Sequence, residues 1–384
     1  MNAMTLYLDN AATSFPKPPS VYEAVRHALT EVGASPGRAS HRHARLASSM
    51  VGAAREKVAS FLGIGDADRV IFTKNATESI NIVLKGWLKR GDRVLISAME
   101  HNSVVRPLKR LSEIGVSTEI VPCSGSGAID VDELRRRLES RPRLMAMTHA
   151  SNVNGALLPA EAVAQMCSEF GVPLLLDAAQ TAGVQAIRAD KWRLAMLACS
   201  AHKGLLGPPG VGVLFIRSGL DVEPLLEGGT GSRSEDAIQP EICPDRYESG
   251  TPNLPGIAGL AAGIDYILSS GLETIRDHEL GLAVRLEEQL RAIPGITVIS
   301  PEVRGTATVS FTMAGINPAD AGHLLDEGYD IAVRTGLHCA PLAHRTFGTF
   351  PEGTVRVSPG YATTAADMER LAEAIRDLAL LRRR

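Results

Sequence analysis

The sequence has little of the chemistry that marks several protein classes. Only 4% of its 384 residues are aromatic, and 40 basic residues against 43 acidic ones leave a net charge of −3. This balance gives no basic surface for nucleic acid or an anionic membrane, so we expect neither as a partner. No apolar run approaches the ~20 residues that span a bilayer, and residues 1–10 lack the layout of a secretory signal. We therefore expect a cytoplasmic protein.

The cysteines point away from two further classes. Their number is odd, they are scattered along the chain, and no two of them form a C-x-x-C pair: Cys123, Cys167, Cys199, Cys243 and Cys339. Neither a disulfide framework nor a zinc site is indicated, and we expect no metal. Repeats and low-complexity linkers are also missing. The length exceeds what one hydrophobic core usually serves, which favours one large and one small domain.

Short apolar runs alternate with helical patterns, which predicts an α/β fold with a parallel sheet wrapped by helices. The predicted strands are Val70–Phe72, Val94–Ile96, Leu144–Met147, Leu174–Leu176, Ala195–Leu197 and Val211–Ile216. Later segments indicate helices at Ile257–Leu268 and at 272–293, a strand at Ala307–Thr312, and a last helix after Thr364. We predict a large domain over residues 15–255 and a smaller α+β domain over residues 256–384, joined by the N-terminal segment 1–14.

Polar clusters follow five of the predicted strands. The carboxyl ends of strands in an open α/β sheet share one edge, and ligands bind there. Five clusters in register therefore predict a single site. They are Ala76-Thr77-Glu78, Glu100-His101-Asn102, Ser151-Asn152, Asp177-Ala178-Ala179-Gln180 and Ser200-Ala201-His202-Lys203.

Asp177 and Lys203 suggest a pyridoxal-phosphate (PLP) cofactor. Asp177 closes a very apolar strand, and a buried carboxylate needs a partner, for which a protonated pyridine nitrogen is suitable. An N-cap or an Asp–Arg pair is the competing interpretation of Asp177 taken alone. A lysine desolvated beside other cations has a lowered pKa and can form Schiff bases. Most lysines are solvated surface residues, but in this context we predict that Lys203 is the Schiff-base lysine.

Other residues of the clusters could bind or act on such a cofactor. Thr77 lies at the start of a predicted helix, where free N–H groups favour a phosphate, and helix capping by Thr77 is compatible with that. Ser200 and His202 could supply further donors. His101 could lie over the cofactor ring and take part in proton transfer. If His101 stood alone, a structural histidine would be the simpler interpretation.

At this point a family resemblance is visible, running from about Leu8 to Thr364. The polar clusters, together with Leu8-Asp9-Asn10-Ala11-Ala12-Thr13 and Gly250-Thr251-Pro252-Asn253, resemble the class V aminotransferase superfamily. The segment Arg334–Ala340 is similar to the R-x-G-H-H-C-A segment of the second group of cysteine desulfurases, which includes selenocysteine lyases. The resemblance implies a fold type I PLP-dependent transferase. Such a fold has a mostly parallel seven-stranded sheet in the large domain.

The resemblance also implies roles for individual residues around the cofactor. Lys203 forms the Schiff base, Asp177 pairs with the pyridine nitrogen, and His101 stacks on the ring. The ring hydroxyl region is contacted by Gln180 and Asn152. The phosphate is held at Ala76, Thr77, Ser200 and His202, joined by Thr251 from the partner subunit of a homodimer.

On the substrate side, the resemblance implies that Arg356 binds the substrate carboxylate as a bidentate guanidinium. Arg334 and His41 are lesser candidates at the substrate mouth, and Cys339 is the sulfur acceptor. The implied reaction converts L-cysteine to alanine. Lys203 takes the Cα proton, and the Cys339 thiolate attacks the substrate sulfur and becomes a persulfide.

The surroundings of Cys339 are predicted from its neighbours. Gly336 and Pro341 predict a loop. An electropositive setting that favours the thiolate is predicted from Arg334, His338, His344 and Arg345. Leu337 stands where the group usually has a histidine, so the polarity beside Cys339 departs from the common pattern.

Several alternatives stay open at this point. The chain could be another class V enzyme, such as an aminotransferase or a lyase, with Cys339 as an ordinary loop cysteine. Selenocysteine lyase activity cannot be separated from desulfuration by these residues. A non-catalytic scaffold would have no need to keep Lys203, Asp177 and Arg356 together. The sulfur acceptor is also open: a scaffold for iron–sulfur clusters, a carrier protein or a simple thiol.

Overall fold

The computed structural model describes residues 5–37 and 40–381. Residues 1–4 of the predicted N-terminal segment and the end of the predicted small domain therefore lie outside the described residues. The α-helices are α1 (Pro19–His27), α2 (Arg42–Leu62), α3 (Ala76–Trp87), α4 (Asn102–Leu111), α5 (Val131–Leu138), α6 (Ala160–Glu169), α7 (Leu254–Ser270), α8 (Leu272–Arg291), α9 (Pro318–Tyr329), α10 (Pro341–Thr346) and α11 (Ala365–Leu381).

The strands are short and alternate with these helices over the first two thirds of the chain. They are β1 (Leu6–Tyr7), β2 (Val70–Thr73), β3 (Arg93–Ser97), β4 (Ser117–Val121), β5 (Leu144–Thr148), β6 (Leu174–Asp177), β7 (Met196–Ser200), β8 (Gly212–Ile216), β9 (Ile296–Ile299), β10 (Val309–Met313), β11 (Ile331–Ala332), β12 (Arg334–Gly336) and β13 (Thr354–Val357). Each predicted strand is present with its ends shifted by a few residues.

A seven-stranded sheet forms the centre of the molecule, in the order β2-β8-β7-β6-β5-β3-β4. All of its strands run in one direction except β8, which pairs antiparallel with β2 and with β7. Its inner strands are buried along their whole length, because helices cover both faces. The predicted α/β fold with a mostly parallel seven-stranded sheet is confirmed.

A C-terminal domain is built on a second, antiparallel sheet in the order β12-β13-β10-β9. Its core packs residues such as Leu286 of α8, Leu325 of α9 and Leu371 of α11 against Phe311 of the sheet. The smaller α+β domain is thus confirmed as an architecture.

The start of the chain lies against this domain, because β1 pairs parallel with β11. Helix α7 places Leu260 and Ile264 in the core of the central sheet. The division of the chain at residue 255 stays a prediction.

Within residues 5–37 and 40–381, no helix is long and apolar enough to cross a membrane. The same residues contain no group of three His, Cys, Asp or Glu side chains arranged to hold a metal ion.

Candidate active site

A cavity of about 280 Å³ opens at the carboxyl edge of the central sheet. It brings together all but two of the residues predicted for the site. These are Ala76, Thr77, His101, Asn152, Asp177, Gln180, Ser200, His202, Lys203, Arg334, Cys339 and Arg356. They come from the ends of β2, β3, β5, β6 and β7 and, in the C-terminal domain, from β12, β13 and the turn after β12, so both sheets contribute to the cavity.

Asp177 and Lys203 both line this cavity. Asp177 is 5% exposed and accepts one hydrogen bond from the Ala179 N–H at 2.9 Å. Burial raises its pKa, while that N–H and the charge of Lys203 oppose the rise. Burial also lowers the pKa of Lys203 to about 8, helped by the positive charges of Arg356 and Arg334 and opposed by Asp177. The amine of Lys203 is therefore far easier to deprotonate than that of a surface lysine.

A close crossing of two chain segments holds Lys203 in place. A Cβ on Gly183, whose φ is +88°, would lie 2.2 Å from the carbonyl oxygen of Gly204, and a Cβ on Gly204 would lie 2.7 Å from the carbonyl oxygen of Ala182. Only glycine allows the backbone to pass this closely. This close approach at Gly204 therefore fixes the backbone directly after Lys203.

The N-terminus of α3 forms one end of the cavity. The Asn75 side chain caps the helix by accepting the Glu78 N–H at 2.9 Å, and the Ala76 N–H donates to Ser200 Oγ at 2.9 Å. A helix start presents N–H groups and a positive dipole end to an anion. With Thr77, Ser200 and His202 around it, this end of the cavity is suited to a phosphate.

His101 caps the next helix, α4, and lines the cavity. Its Nδ1 accepts the Ser103 N–H at 3.0 Å, so the neutral ring carries its proton on Nε2. Burial, followed by the charges of Lys203, Arg334 and Arg106, lowers the pKa of His101 to about 4. The ring is therefore neutral at physiological pH.

Arg356 crosses the interior on β13 and is 0% exposed. Its Nη2 donates to Asp9 Oδ1 at 2.6 Å, and its Nη1 donates to the Asn152 carbonyl oxygen at 3.0 Å. The buried Nε has no hydrogen-bond partner within the described part of the chain. This guanidinium is oriented from two sides and still has a donor to offer.

Cys339 lies in a tight turn between β12 and α10, so the predicted loop is present. His338 and Cys339 have φ values of +47° and +59°, a backbone conformation unusual for residues other than glycine. The turn is held by the Asn102 N–H, which donates to the Cys339 carbonyl oxygen at 2.7 Å, and by Asn152 Nδ2, which donates to the His338 carbonyl oxygen at 2.6 Å. The sulfur of Cys339 is exposed and lies 3.5 Å from Arg334 Nη2.

The electropositive setting predicted for Cys339 was wrong in its origin. His338 and His344 are buried, and desolvation lowers their pKa values, to about 4 for His344, so neither ring is charged near neutral pH. Arg345 is exposed and stacks on Phe350, 3.7 Å from the ring centre. Arg334 supplies the contact with the sulfur. Leu337 is half-buried.

Two predicted site residues lie away from the cavity. His41 is exposed at the start of α2, where its Nδ1 accepts the Ala44 N–H at 3.2 Å. Thr251 lines a separate cavity together with Lys74 and Glu78. Neither residue contributes to the Lys203 cavity within this one chain.

Some residues of the site carried no signal strong enough to assign them a role. Asp9 belongs to the motif Leu8-Asp9-Asn10-Ala11-Ala12-Thr13, but its pairing with Arg356 could not be inferred from the sequence. Glu100 is fully buried and accepts hydrogen bonds from Ser97 Oγ at 2.5 Å and from the Thr148 N–H at 2.9 Å. Burial raises the pKa of Glu100 to about 8. Its position directly before His101 was the available clue.

Residues 6–371 match the aminotransferase class-V family. The chain is 34% identical to a probable cysteine desulfurase of Methanothermobacter thermautotrophicus, over 97% of this chain and 94% of that protein. The fold matches a cysteine desulfurase from Thermococcus onnurineus with a TM-score of 0.92 and 33% identity, over 98% of this chain and 95% of that one. It also matches the Escherichia coli cysteine desulfurase CsdA with a TM-score of 0.88 and 30% identity, over 98% and 94%.

The chain therefore belongs to the class-V aminotransferase family. Within that family it is cysteine desulfurase-like, as its relatives and the solved structures agree.

Proposed function

We propose that this chain is a PLP-dependent cysteine desulfurase that converts L-cysteine to L-alanine and holds the sulfur on Cys339 as a persulfide. One observation carries the proposal: Lys203, Asp177, Arg356 and Cys339 line a single cavity. A lysine of lowered pKa, a buried carboxylate, a buried guanidinium and an exposed thiol are the groups that this reaction requires. The relatives that bear this name support the assignment.

The residues of the cavity fit PLP. The start of α3, with Thr77, Ser200 and His202, is suited to the phosphate. Asp177 is buried and makes no ion pair with another described residue, so its carboxylate fits a protonated pyridine nitrogen. Gln180, which donates to the Ala11 carbonyl oxygen at 3.0 Å, and Asn152 would contact the ring hydroxyl region. When bound, PLP stores the electrons released when the substrate loses its Cα proton.

The remaining steps belong to side chains of this protein. Arg356 binds the substrate carboxylate, and Asp9 and Asn152 keep its guanidinium in place. Lys203 would take the Cα proton, since its lowered pKa leaves a neutral amine available near neutral pH. His101 holds a proton on Nε2 within the same cavity. The Cys339 thiolate would attack the substrate sulfur and form an S–S bond. The C–S bond would break with its electron pair going to the substrate carbon, which takes up a proton to become the methyl group of alanine, and the persulfide would stay on Cys339 beside Arg334.

We further propose a homodimer in which Thr251 of each chain completes the phosphate site of the other. Thr251 lies outside the Lys203 cavity of its own chain but beside the α3 residue Glu78, which is consistent with this arrangement. His41 remains a candidate for the substrate mouth. The cytoplasmic location expected from the sequence stays a prediction.

The proposal is tested by removing Cys339. We expect Cys339→Ala to lose sulfide release from L-cysteine while still binding PLP, detected by visible absorption and by borohydride labelling of Lys203. A persulfide trap followed by peptide mass analysis should label Cys339 in the wild-type protein. Cys123→Ala is the matched control, because Cys123 is half-buried and lies outside the cavity.

Other outcomes would assign the chain differently. If Cys339→Ala kept full activity, the chain would be a class V enzyme without persulfide chemistry. If selenocysteine were turned over by the variant and by the wild-type protein far faster than cysteine, lyase activity would be the main function. A protein that stayed colourless with added PLP would contradict both assignments.

A further inference from the structure

A second concave surface begins at Cys339 on the outer side of the molecule. This groove has a volume of about 380 Å³ and runs along α3 and α4. It shares Thr77, His101, Ser103 and Cys339 with the catalytic cavity. The Cys339 sulfur therefore borders two spaces, one that holds the substrate and one that is open to solvent.

The groove is lined by positive charge. Lys85 of α3 and Arg106 and Arg110 of α4 are exposed along it, and no carboxylate is among its described lining residues. Arg110 pairs with Glu113, which lies outside the lining. Lys85 and Arg106 form no ion pair with any other described residue. Two uncompensated cations and one paired cation therefore face the same space.

The charge of this groove reaches the reacting groups. Arg106 is among the positive charges that lower the pKa of His101, and His101 lines both spaces. The Asn102 N–H donates to the Cys339 carbonyl oxygen at 2.7 Å, which fixes the Cys339 turn to the start of α4. A ligand seated along α4 would therefore lie next to the sulfur.

We infer that this groove binds the thiol that removes sulfur from Cys339, and that this thiol is a small molecule carrying two or more carboxylates. The inference rests on the proposed function. The groove volume lies in the range of small-ligand pockets, ~300–1,000 Å³. The cations along its walls complement the carboxylates of such a small thiol.

The transfer is balanced as a thiol exchange. The acceptor thiolate attacks the outer sulfur of the Cys339 persulfide, and a new S–S bond forms. The bond between the two sulfurs of the persulfide breaks, and its electron pair leaves on the Cys339 sulfur as a thiolate. The acceptor departs as a persulfide, and no external oxidant or reductant is needed.

The test compares three thiols on the PLP-loaded protein after one equivalent of L-cysteine has converted Cys339 to its persulfide. The probes are mercaptosuccinate with two carboxylates, neutral 2-mercaptoethanol and cationic cysteamine. The second-order rate constant of persulfide loss is measured for each probe. For each protein, the rate constant of each probe is divided by that of 2-mercaptoethanol. Comparing these ratios between proteins cancels the intrinsic reactivity differences between the thiols. In Lys85→Gln/Arg106→Gln the mercaptosuccinate ratio should fall about tenfold and the cysteamine ratio should rise.

Lys109→Gln is the matched control, because Lys109 lies exposed on the same helix but does not line the groove. It should keep the wild-type ratios. Raising the ionic strength should lower the mercaptosuccinate ratio in the wild-type protein and change it little in the double variant. Equal ratios in wild type and double variant would overturn the inference and favour a macromolecular acceptor. If L-cysteine never converts Cys339 to a persulfide, the proposed function itself fails, and the inference fails with it.

Discussion

Asp9 and Arg356 form an ion pair with 2.6 Å between Oδ1 and Nη2, although 347 positions separate them in the chain. Asp9 follows β1, and Arg356 is on β13 of the antiparallel sheet. Arg356 is fully buried, so its charge depends on this partner and on the carbonyl oxygen of Asn152. The start of the chain thus orients the guanidinium proposed to bind the substrate carboxylate.

Replacing Asp9 should weaken substrate binding more than it slows the chemistry. A hydrogen bond to a charged group contributes about 1.5–3 kcal/mol, so Asp9→Ala should raise the KM for L-cysteine at least about tenfold. We expect a smaller change in kcat, because Asp9 contacts Arg356 rather than the reacting atoms. The KM of Asp9→Asn should lie between those of the wild-type protein and Asp9→Ala. Steady-state alanine formation measures both constants.

Glu31→Gln serves as the control, since Glu31 is an exposed carboxylate paired with Arg26 at 3.2 Å. It should leave KM and kcat unchanged. An Asp9→Ala protein with an unchanged KM would show that Arg356 does not need this partner.

The attachment of PLP should depend on pH through Lys203. Only the neutral amine forms a Schiff base, and burial together with Arg356 and Arg334 lowers the pKa of Lys203 to about 8. In the apoprotein, the rate of attachment should therefore rise with pH and reach half its maximum near pH 8, rather than near the ~10.4 of an ordinary lysine. Stopped-flow visible absorption measures this rate.

Charge variants should move this midpoint in opposite directions. Arg334→Gln removes a positive charge and should raise the midpoint. Asp177→Asn removes the negative charge that favours the ammonium form and should lower it. A midpoint that both variants left unchanged would contradict the electrostatic origin of the shift.

Gly183→Ala should destabilise the protein more than an ordinary glycine substitution at positive φ. Its φ of +88° matches the +90° of Gly91, but a Cβ on Gly91 meets nothing within 4 Å. Gly91→Ala should therefore show only the backbone cost, about 1 kcal/mol. Gly183→Ala adds a collision with the Gly204 carbonyl oxygen, which should cost about 1–3 kcal/mol more. Urea unfolding of both variants measures the difference, and equal losses would contradict the predicted collision.

Mixed dimers should show that Thr251 acts on the neighbouring chain. Lys203→Ala alone should be inactive, and Thr251→Val alone should bind PLP weakly. In a mixed dimer, one site combines Lys203 of one chain with Thr251 of the other and is fully intact. Activity should therefore reappear when the two variants are unfolded and refolded together. Mixing that restores no activity would show that Thr251 serves its own chain or none.

The central sheet could be predicted because its strands are buried and therefore apolar throughout. Strand β4 received no predicted bounds, because it lies at the sheet edge, where Ser117 and Thr118 face solvent and interrupt the apolar pattern. The turns after the strands held most of the site, since parallel strands end at one edge and the side chains that follow them converge.

The rest of the site depends on contacts between distant parts of the chain. The pairing of Asp9 with Arg356 joins the segment after β1 to β13, and no local pattern encodes it. His338 and His344 were predicted to add positive charge beside Cys339, but burial makes them neutral, and the sequence alone does not reveal that burial. Thr251 belongs to another cavity in the single chain, so its role depends on a second copy.

The Asn152 carbonyl oxygen accepts a hydrogen bond from Arg356, and the Asn152 side-chain amide donates one to the Cys339 turn. One residue thereby links the group proposed to bind the substrate carboxylate to the turn that carries the thiol proposed to receive its sulfur. A fixed distance of this kind would select a substrate by the length of its side chain. We therefore expect cysteine to be a substrate, whereas homocysteine, longer by one methylene, should place its sulfur away from Cys339 and be turned over poorly.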